Sequence, residues 1–161
     1  RYSLKETALL VGRIFILVSG ALVFSRFITV TEIPVTLAEN LAALNVGPYV
    51  ILWVVLVFYI MVGFILDIMS IILLVAPILH FILVELGFDP VWIASTTMIT
   101  ILMGQISPPF GIVVFGLSAY VPDVPIWTIY RGCIPFLLAM AVGLAICVYF
   151  PQIALFLPSL M

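Results

Sequence analysis

Long apolar runs separated by short polar breaks set the pattern of this chain. The first run, 8–27, meets charge only at Arg13 and Arg26, and it is long enough to cross a bilayer as a helix. Residues 31–45 differ. Glu32, Pro34 and Glu39 interrupt the run while Leu37, Leu41 and Leu44 keep helical spacing, which predicts a short amphipathic helix in the outer interface. Gly47-Pro48 then breaks the chain. The stretch 48–86 is apolar almost throughout, with one interruption at 63–70, Gly-Phe-Ile-Leu-Asp-Ile-Met-Ser. The arm before it has about the length of a minimal span; the arm after it reads as shorter and contains Pro77. Arms of this size predict a re-entrant hairpin in place of two full crossings.

Asp89 is placed to cap the next helix, with Pro90 at its first position. That helix is expected over 90–120, and in its middle stands Gly104-Gln-Ile-Ser-Pro-Pro-Phe-Gly111. Two consecutive prolines remove two donors and clash with the preceding turn, so the helix is expected to break near mid-membrane, with 104–111 non-helical. Val121-Pro-Asp-Val-Pro125 reads as a loop, and 126–149 as the last span.

Composition agrees with lipid as the solvent. Hydrophobic residues make up 66% of the chain, charged residues 7%, and the mean hydropathy is +1.48. A soluble domain needs more polar surface than that. The runs lack the strict alternation of a membrane β-strand, so helices must satisfy the backbone. The 161 residues hold about five or six passes. That is short for a complete secondary transporter, and the chain begins at Arg1, so a fragment is expected. Residues 7–24 form too long a run, with no small-residue cleavage site, to be read as a signal peptide. Positive charge at Arg1, Lys5 and Arg131 puts those positions in the cytoplasm, and Glu32, Glu39, Glu85 and Asp89 outside. No basic stripe or phosphate loop points to nucleic acid or nucleotide. Cys133 and Cys147, on one helix, would stand roughly 21 Å apart, too far for a disulfide.

Candidate chemistry is sparse. Asp67 is the one acid inside an apolar segment, and a carboxylate there costs about 2.5–3.5 kcal/mol on insertion scales. It reads either as part of an ion or substrate site or as the cap of the hairpin's second arm, bonding amides near Ser70. The two readings are compatible. The 104–111 segment is the strongest signal. Breaking a helix in lipid frees carbonyls and amides, which transporters use to hold Na+ and to aim helix N-termini at anionic substrates. Gln105 and Ser107 add side-chain oxygens, and Gly104 and Gly111 let the backbone bend and approach an ion. The bland alternative is a proline kink with no ligand. His80, alone on an apolar arm, reads as a packing or hydrogen-bonding residue before a proton relay. Thr96, Thr97 and Thr100 are expected to bond within or between helices. Trp53, Trp92, Trp127 and Tyr130 suit interfacial belts. No nucleophilic triad or dyad emerges, and the chain is not expected to be an enzyme.

The run Gly63-x-x-x-Asp67, with Pro77-Ile-Leu, Leu86-Gly-Phe-Asp-Pro90, Gly104, Pro108-Pro-Phe-Gly111 and Pro135-Phe136, resembles the large, DctM-like membrane subunit of TRAP (tripartite ATP-independent periplasmic) transporters. The likeness covers nearly the whole chain, which would correspond to the C-terminal portion of that subunit, without its first inverted repeat. The resemblance implies an all-α integral membrane fold. It would be half of an ion transporter superfamily-like architecture, with a re-entrant helical hairpin followed by a discontinuous transmembrane helix. It implies a multi-pass elevator symporter of the bacterial inner membrane, importing organic acids with Na+ as coupling ion and no other cofactor. Its partners would be a small membrane subunit and a periplasmic solute-binding protein. The ion- and substrate-binding residues it implies are Gly63, Asp67, Ser70, Gly104, Gln105, Ser107, Pro108, Pro109 and Gly111, with Na+ held through the backbone of Gly104, Gln105 and Ile106. One departure is Phe81, where the family often has a second proline. The competing function is a non-transporting membrane scaffold whose prolines only shape helices.

Overall fold

Apolar chains in lipid must satisfy every backbone group internally, and helices do so within one segment. The computed structural model describes residues 2–32, 35–37, 39–40, 46–156 and 158–160, and among them there is helix but no strand. Helix α1, Tyr2–Val30, is 29 residues long, longer at both ends than the 8–27 span expected. The interfacial helix expected over 31–45 lies largely outside the described residues, although 35–37 and 39–40 are helical. Helix α2 is Pro48–Gly63. A short turn follows, and the chain returns through a helical arm, α3, Ile68–Glu85. Helix α4 is Pro90–Ile106, α5 is Ile112–Tyr120 and α6 is Ile126–Tyr149. A single turn at Gln152–Leu155 follows. Among the described residues three helices, Leu4–Ile28 within α1, α3 and α6, are long and apolar enough to cross a membrane.

The two arms of the hairpin differ from expectation. The second arm has 18 residues and the first 16, so the second is not the shorter. Proline is the reason the arm reads as interrupted and yet continues. Pro77 has no N–H to give to the turn behind it. The chain widens into a π turn at Ile71–Val75 immediately before it, and the α-helix restarts at Ala76. The arm ends on Gly87 at φ +90°, with Phe88 N–H on the Leu83 carbonyl at 3.2 Å and Gly87 N–H on that of Val84 at 2.9 Å. Two residues on, Asp89 caps α4 by accepting from the amides of Val91 and Trp92 at 2.8 and 3.1 Å.

The chain order therefore makes α2 and α4 parallel neighbours, with α3 returning beside them. At one end Phe88 packs between Tyr49 and Trp92, with ring centroids 5.4 and 5.3 Å away. At the other end Gly63 meets Gly104. The core lies along this seam: Leu52, Leu56 and Tyr59 of α2, Ile71 and Leu83 of α3, Trp92, Ile93 and Ile101 of α4, and Val148 of α6. Trp92 is 2% exposed and its indole N–H donates to the Cys147 carbonyl at 2.6 Å, in the last turn of α6. It is thus a core residue that ties α4 to α6, not a member of an interfacial belt. Trp127 is exposed, as a belt residue would be. Cys133 and Cys147 both lie on α6 and are unpaired.

The Gly63–Gly104 contact is testable. A Cβ on Gly104 would stand 2.8 Å from the Ile60 carbonyl oxygen and 2.9 Å from the Gly63 Cα, both backbone atoms that cannot rotate away. Gly104→Ala should force α2 and α4 apart and cost about 1–3 kcal/mol. Gly143→Ala, in α6, meets nothing within 4 Å and should be neutral or stabilising. Thermal unfolding in detergent checks the pair: a Gly104→Ala protein as stable as the parent would mean the helices are not held this closely.

Candidate functional site: hairpin tip and helix break

The break in the fourth helix begins later than the proline rule suggests. Gly104, Gln105 and Ile106 are still helical, and the non-helical stretch is 107–111. The expectation of a non-helical 104–111 is corrected on this point, and its physical reason is local. Pro108 and Pro109 deprive the carbonyls behind them of donors, but the residues bearing those carbonyls still give their own N–H groups to the previous turn. They keep helical geometry while their oxygens go free. Ser107 turns extended, φ −78° and ψ 141°, as the residue before a proline is pushed to do. The Pro108–Pro109 peptide is cis. Gly111 closes the break and α5 begins at the next residue.

The freed oxygens are taken up unequally. Ser107 gives its hydroxyl to the Met103 carbonyl at 2.7 Å and its amide to that of Gly104 at 3.3 Å. Gly111 N–H reaches the Ser107 carbonyl at 3.1 Å. Among the described residues, no backbone amide reaches the carbonyls of Gln105 and Ile106. Gly111 lies against the first of these: a Cβ there would be 2.6 Å from the Gln105 carbonyl oxygen and 3.0 Å from that of Ser107. Only glycine lets the chain fold back so closely on the end of α4.

Gln105 is the side chain that joins the break to the hairpin. It is 3% exposed, and its amide nitrogen donates to the carbonyls of Gly63 at 3.1 Å and Leu66 at 2.7 Å. These are carbonyls at the C-terminal end of α2 and in the tip that follows, which helix geometry leaves without donors. Gln105 therefore works as a helix cap supplied from 42 residues away in the chain. Sequence reasoning named its side-chain oxygen; the structure adds a second role, through the donor end of the same amide. Gly104, expected to let the chain bend, is helical and packs on Gly63.

Asp67 and Ser70 sit at the start of α3. Asp67 accepts from the Ser70 amide at 3.1 Å and makes a short bond with the Ser70 hydroxyl. This is the capping geometry expected of it. The pair lines a cleft of 120 Å³ together with Leu17 and Ala21 of α1. Leu17 and Ala21 lie near the middle of α1, so the tip of the hairpin, and the break that Gln105 ties to it, stand level with that middle.

Tyr130 belongs to this site and sequence reasoning missed it. It is 4% exposed, not an interfacial side chain, and its hydroxyl donates to the Pro109 carbonyl at 3.2 Å. Nothing in its own stretch of sequence announces this, because the partner lies 21 residues upstream, beyond a loop. The threonines of α4 divide. Thr96 and Thr100 bond back to carbonyls of their own helix, Thr96 at 3.0 and 3.1 Å and Thr100 at 2.8 Å. None of the three touches the break.

A turn at the end of one apolar helix is thus fastened to a proline break in its parallel neighbour, and this juxtaposition can be set beside known proteins. The family described as "Tripartite ATP-independent periplasmic transporter, DctM component" matches residues 1–153. The chain belongs to this family. A C4-dicarboxylate TRAP transporter large permease protein, DctM, from Pseudomonas aeruginosa is 31% identical over 97% of the chain. A sialic acid TRAP transporter large permease protein, SiaM, from Vibrio cholerae is 29% identical over 98%. An ectoine/5-hydroxyectoine large permease protein, UehC, from Ruegeria pomeroyi is 31% identical over 97%. In each comparison the chain spans 36% of the relative's length. The DctM-family chain is accordingly a membrane protein of a transporter family, and not an enzyme.

The geometry predicts how Gln105 behaves. Gln105→Leu strips two carbonyls of their donor, at about 1–3 kcal/mol for each one left buried. Gln105→Glu keeps the size but offers only acceptors to acceptors, and should be worse at neutral pH. Hydrogen–deuterium exchange should rise at 64–67 in both variants while the far end of α2 keeps its protection. Unchanged exchange at the tip would show that Gln105 does not hold it.

Proposed function

We infer that this chain is the C-terminal part of the large membrane subunit of a Na+-coupled secondary transporter that imports organic acids across the bacterial inner membrane. The observation that carries the reading is the pairing of hairpin tip and helix break beside the middle of α1. On this reading α2 and α3 form a re-entrant hairpin and α4–α5 a discontinuous membrane helix. The carbonyls of Gln105 and Ile106, which have no backbone donor among the described residues, are hard oxygens suited to Na+ at the C-terminal, negative end of α4. On the same reading the N-terminus of α5, which begins one residue after Gly111, would offer its first amides to that gap, which suits a carboxylate. One break can then hold both coupled species, with Gly63, Asp67, Ser70, Gly104, Ser107, Pro108, Pro109 and Gly111 shaping the region.

A whole permease would complete this half-site with a second hairpin and broken helix, and move the pair across the membrane as an elevator. Its partners would be a small membrane subunit and a periplasmic solute-binding protein that delivers the acid. The named substrates of the relatives, C4-dicarboxylates and sialic acid among them, set the first compounds to try.

Uptake of labelled acid into proteoliposomes holding the full permease complex tests the proposal. Uptake should need an inward Na+ gradient, and Pro108→Ala with Pro109→Ala should reduce it by tenfold or more while membrane insertion stays normal. Uptake unaffected by exchanging Na+ for K+ would overturn the Na+ assignment, and no uptake of any acid by a well-inserted complex would favour a scaffold. Asp67→Asn should raise the Na+ concentration needed for half-maximal rate, because an anion at the tip of a membrane hairpin favours a nearby cation. An unchanged Na+ dependence would leave Asp67 as a cap alone.

A further inference from the structure

The non-helical stretch 107–111 includes two residues with no N–H to give, Pro108 and Pro109, so much of what holds it must come from outside. Ser107 and Gly111 bond within the break or back to the end of α4. Among the described residues, Tyr130 is the one side chain of another helix that bonds to this stretch, its hydroxyl donating to the Pro109 carbonyl at 3.2 Å. No backbone amide reaches that carbonyl among the described residues. The same hydroxyl lies beside the amide of Gly111, the last residue before α5.

The ring behind the hydroxyl is held as well. Tyr130 is 4% exposed, and Trp127, one turn earlier on α6, meets it edge-on with ring centroids 6.0 Å apart. A tyrosine has only two side-chain torsions to fix, and this packing restrains both. The side chain is therefore a stiff strut from the first turns of α6 to the segment that joins α4 to α5.

The strut bears on the oxygens of the break. The Pro109 oxygen is turned to α6 and engaged there, while the carbonyls of Gln105 and Ile106 keep no backbone donor among the described residues. The number of oxygens that face an ion, and how rigidly they are held, decide which cation a site prefers. Without the hydroxyl, the Pro109 oxygen would join the free set and the segment would loosen. A looser set closes round a smaller ion as readily as round Na+, and it must be ordered again each time an ion binds. The geometry points to Tyr130 as a positioning residue that sets cation choice at the helix break, favouring Na+ over the smaller Li+. The proposal rests on the reading of the break as a cation site and adds the residue that tunes it from α6. Tyr130 acts through Pro109, not by touching the ion.

Uptake by the full permease complex in proteoliposomes tests this with Tyr130→Phe, which removes the hydroxyl and keeps the ring against Trp127. Li+-driven uptake, as a share of Na+-driven uptake, should rise at least twofold, and the Na+ concentration for half-maximal rate should rise about threefold. A smaller rise in that share, or a fall, would overturn the proposal whatever happens to the maximal rate, because a merely structural role lowers the rate with both ions alike. A variant that fails to assemble would assign the hydroxyl to folding and would overturn it too. Ser118→Ala, which removes a hydroxyl bonded back to the Phe115 carbonyl within α5, should leave the share unchanged. Parent uptake that needs neither ion would sink the cation reading beneath the proposal, and hydrogen–deuterium exchange then separates the two. Amides of residues 110–113 exchanging at least fivefold faster in Tyr130→Phe would keep Tyr130 as the positioning residue of the break; equal exchange would remove that role as well.

Discussion

Two glycines facing each other set the geometry from which the rest follows. With no Cβ on Gly63 or Gly104, the ends of α2 and α4 approach until backbone touches backbone. In lipid there is no hydrophobic gain from bringing two apolar helices together, so association relies on close packing and on hydrogen bonds that only short distances allow. The contact supplies both. It brings Gln105 within reach of the tip carbonyls, and those bonds hold the turn of the hairpin against the end of α4. A larger residue at either position would lengthen every one of these distances at once.

The arrangement also explains why an expensive break is stable. Pro108 and Pro109 cost the fourth helix part of its ladder, but the loss is spread over groups with different replacements. Ser107 and Gly111 restore part of it from within the break, Tyr130 restrains it from α6, and the carbonyls of Gln105 and Ile106 keep no backbone donor among the described residues. A break that satisfied none of its oxygens would not persist in an apolar setting.

Much of this was legible from the sequence because the signals are local. Asp89-Pro90 announces a helix start through its own backbone amides, and Pro108-Pro109 announces a break through the turn behind it. What stayed hidden depends on partners distant in the chain. That Gln105 also caps the hairpin was hidden, because nothing near it in the chain shows that its amide nitrogen faces Gly63 and Leu66. Trp92 and Tyr130 were read as interfacial because aromatics near helix ends usually are, and only the packing of α6 shows that both turn inward. The second arm was read as short because Pro77 suggests an interruption, while a π turn absorbs the missing donor and lets the helix run on. Of the candidate residues, the tip and the break were found by pattern, and so was their facing one another; the Gln105 bonds and the glycine contact that fasten them were not.

The buried indole of Trp92 has one more consequence. Its N–H is bound to α6 and its ring is packed on Phe88, while Trp127 stands exposed at the other end of the same helix. The two fluorophores therefore sit in contrasting surroundings on either end of α6. With Trp53 silenced, emission from Trp92 would redden and weaken only when α4 parts from α6, and emission from Trp127 would follow whatever lipid or protein covers it. The chain carries its own optical gauge, one end reading the integrity of the seam and the other reading the neighbourhood.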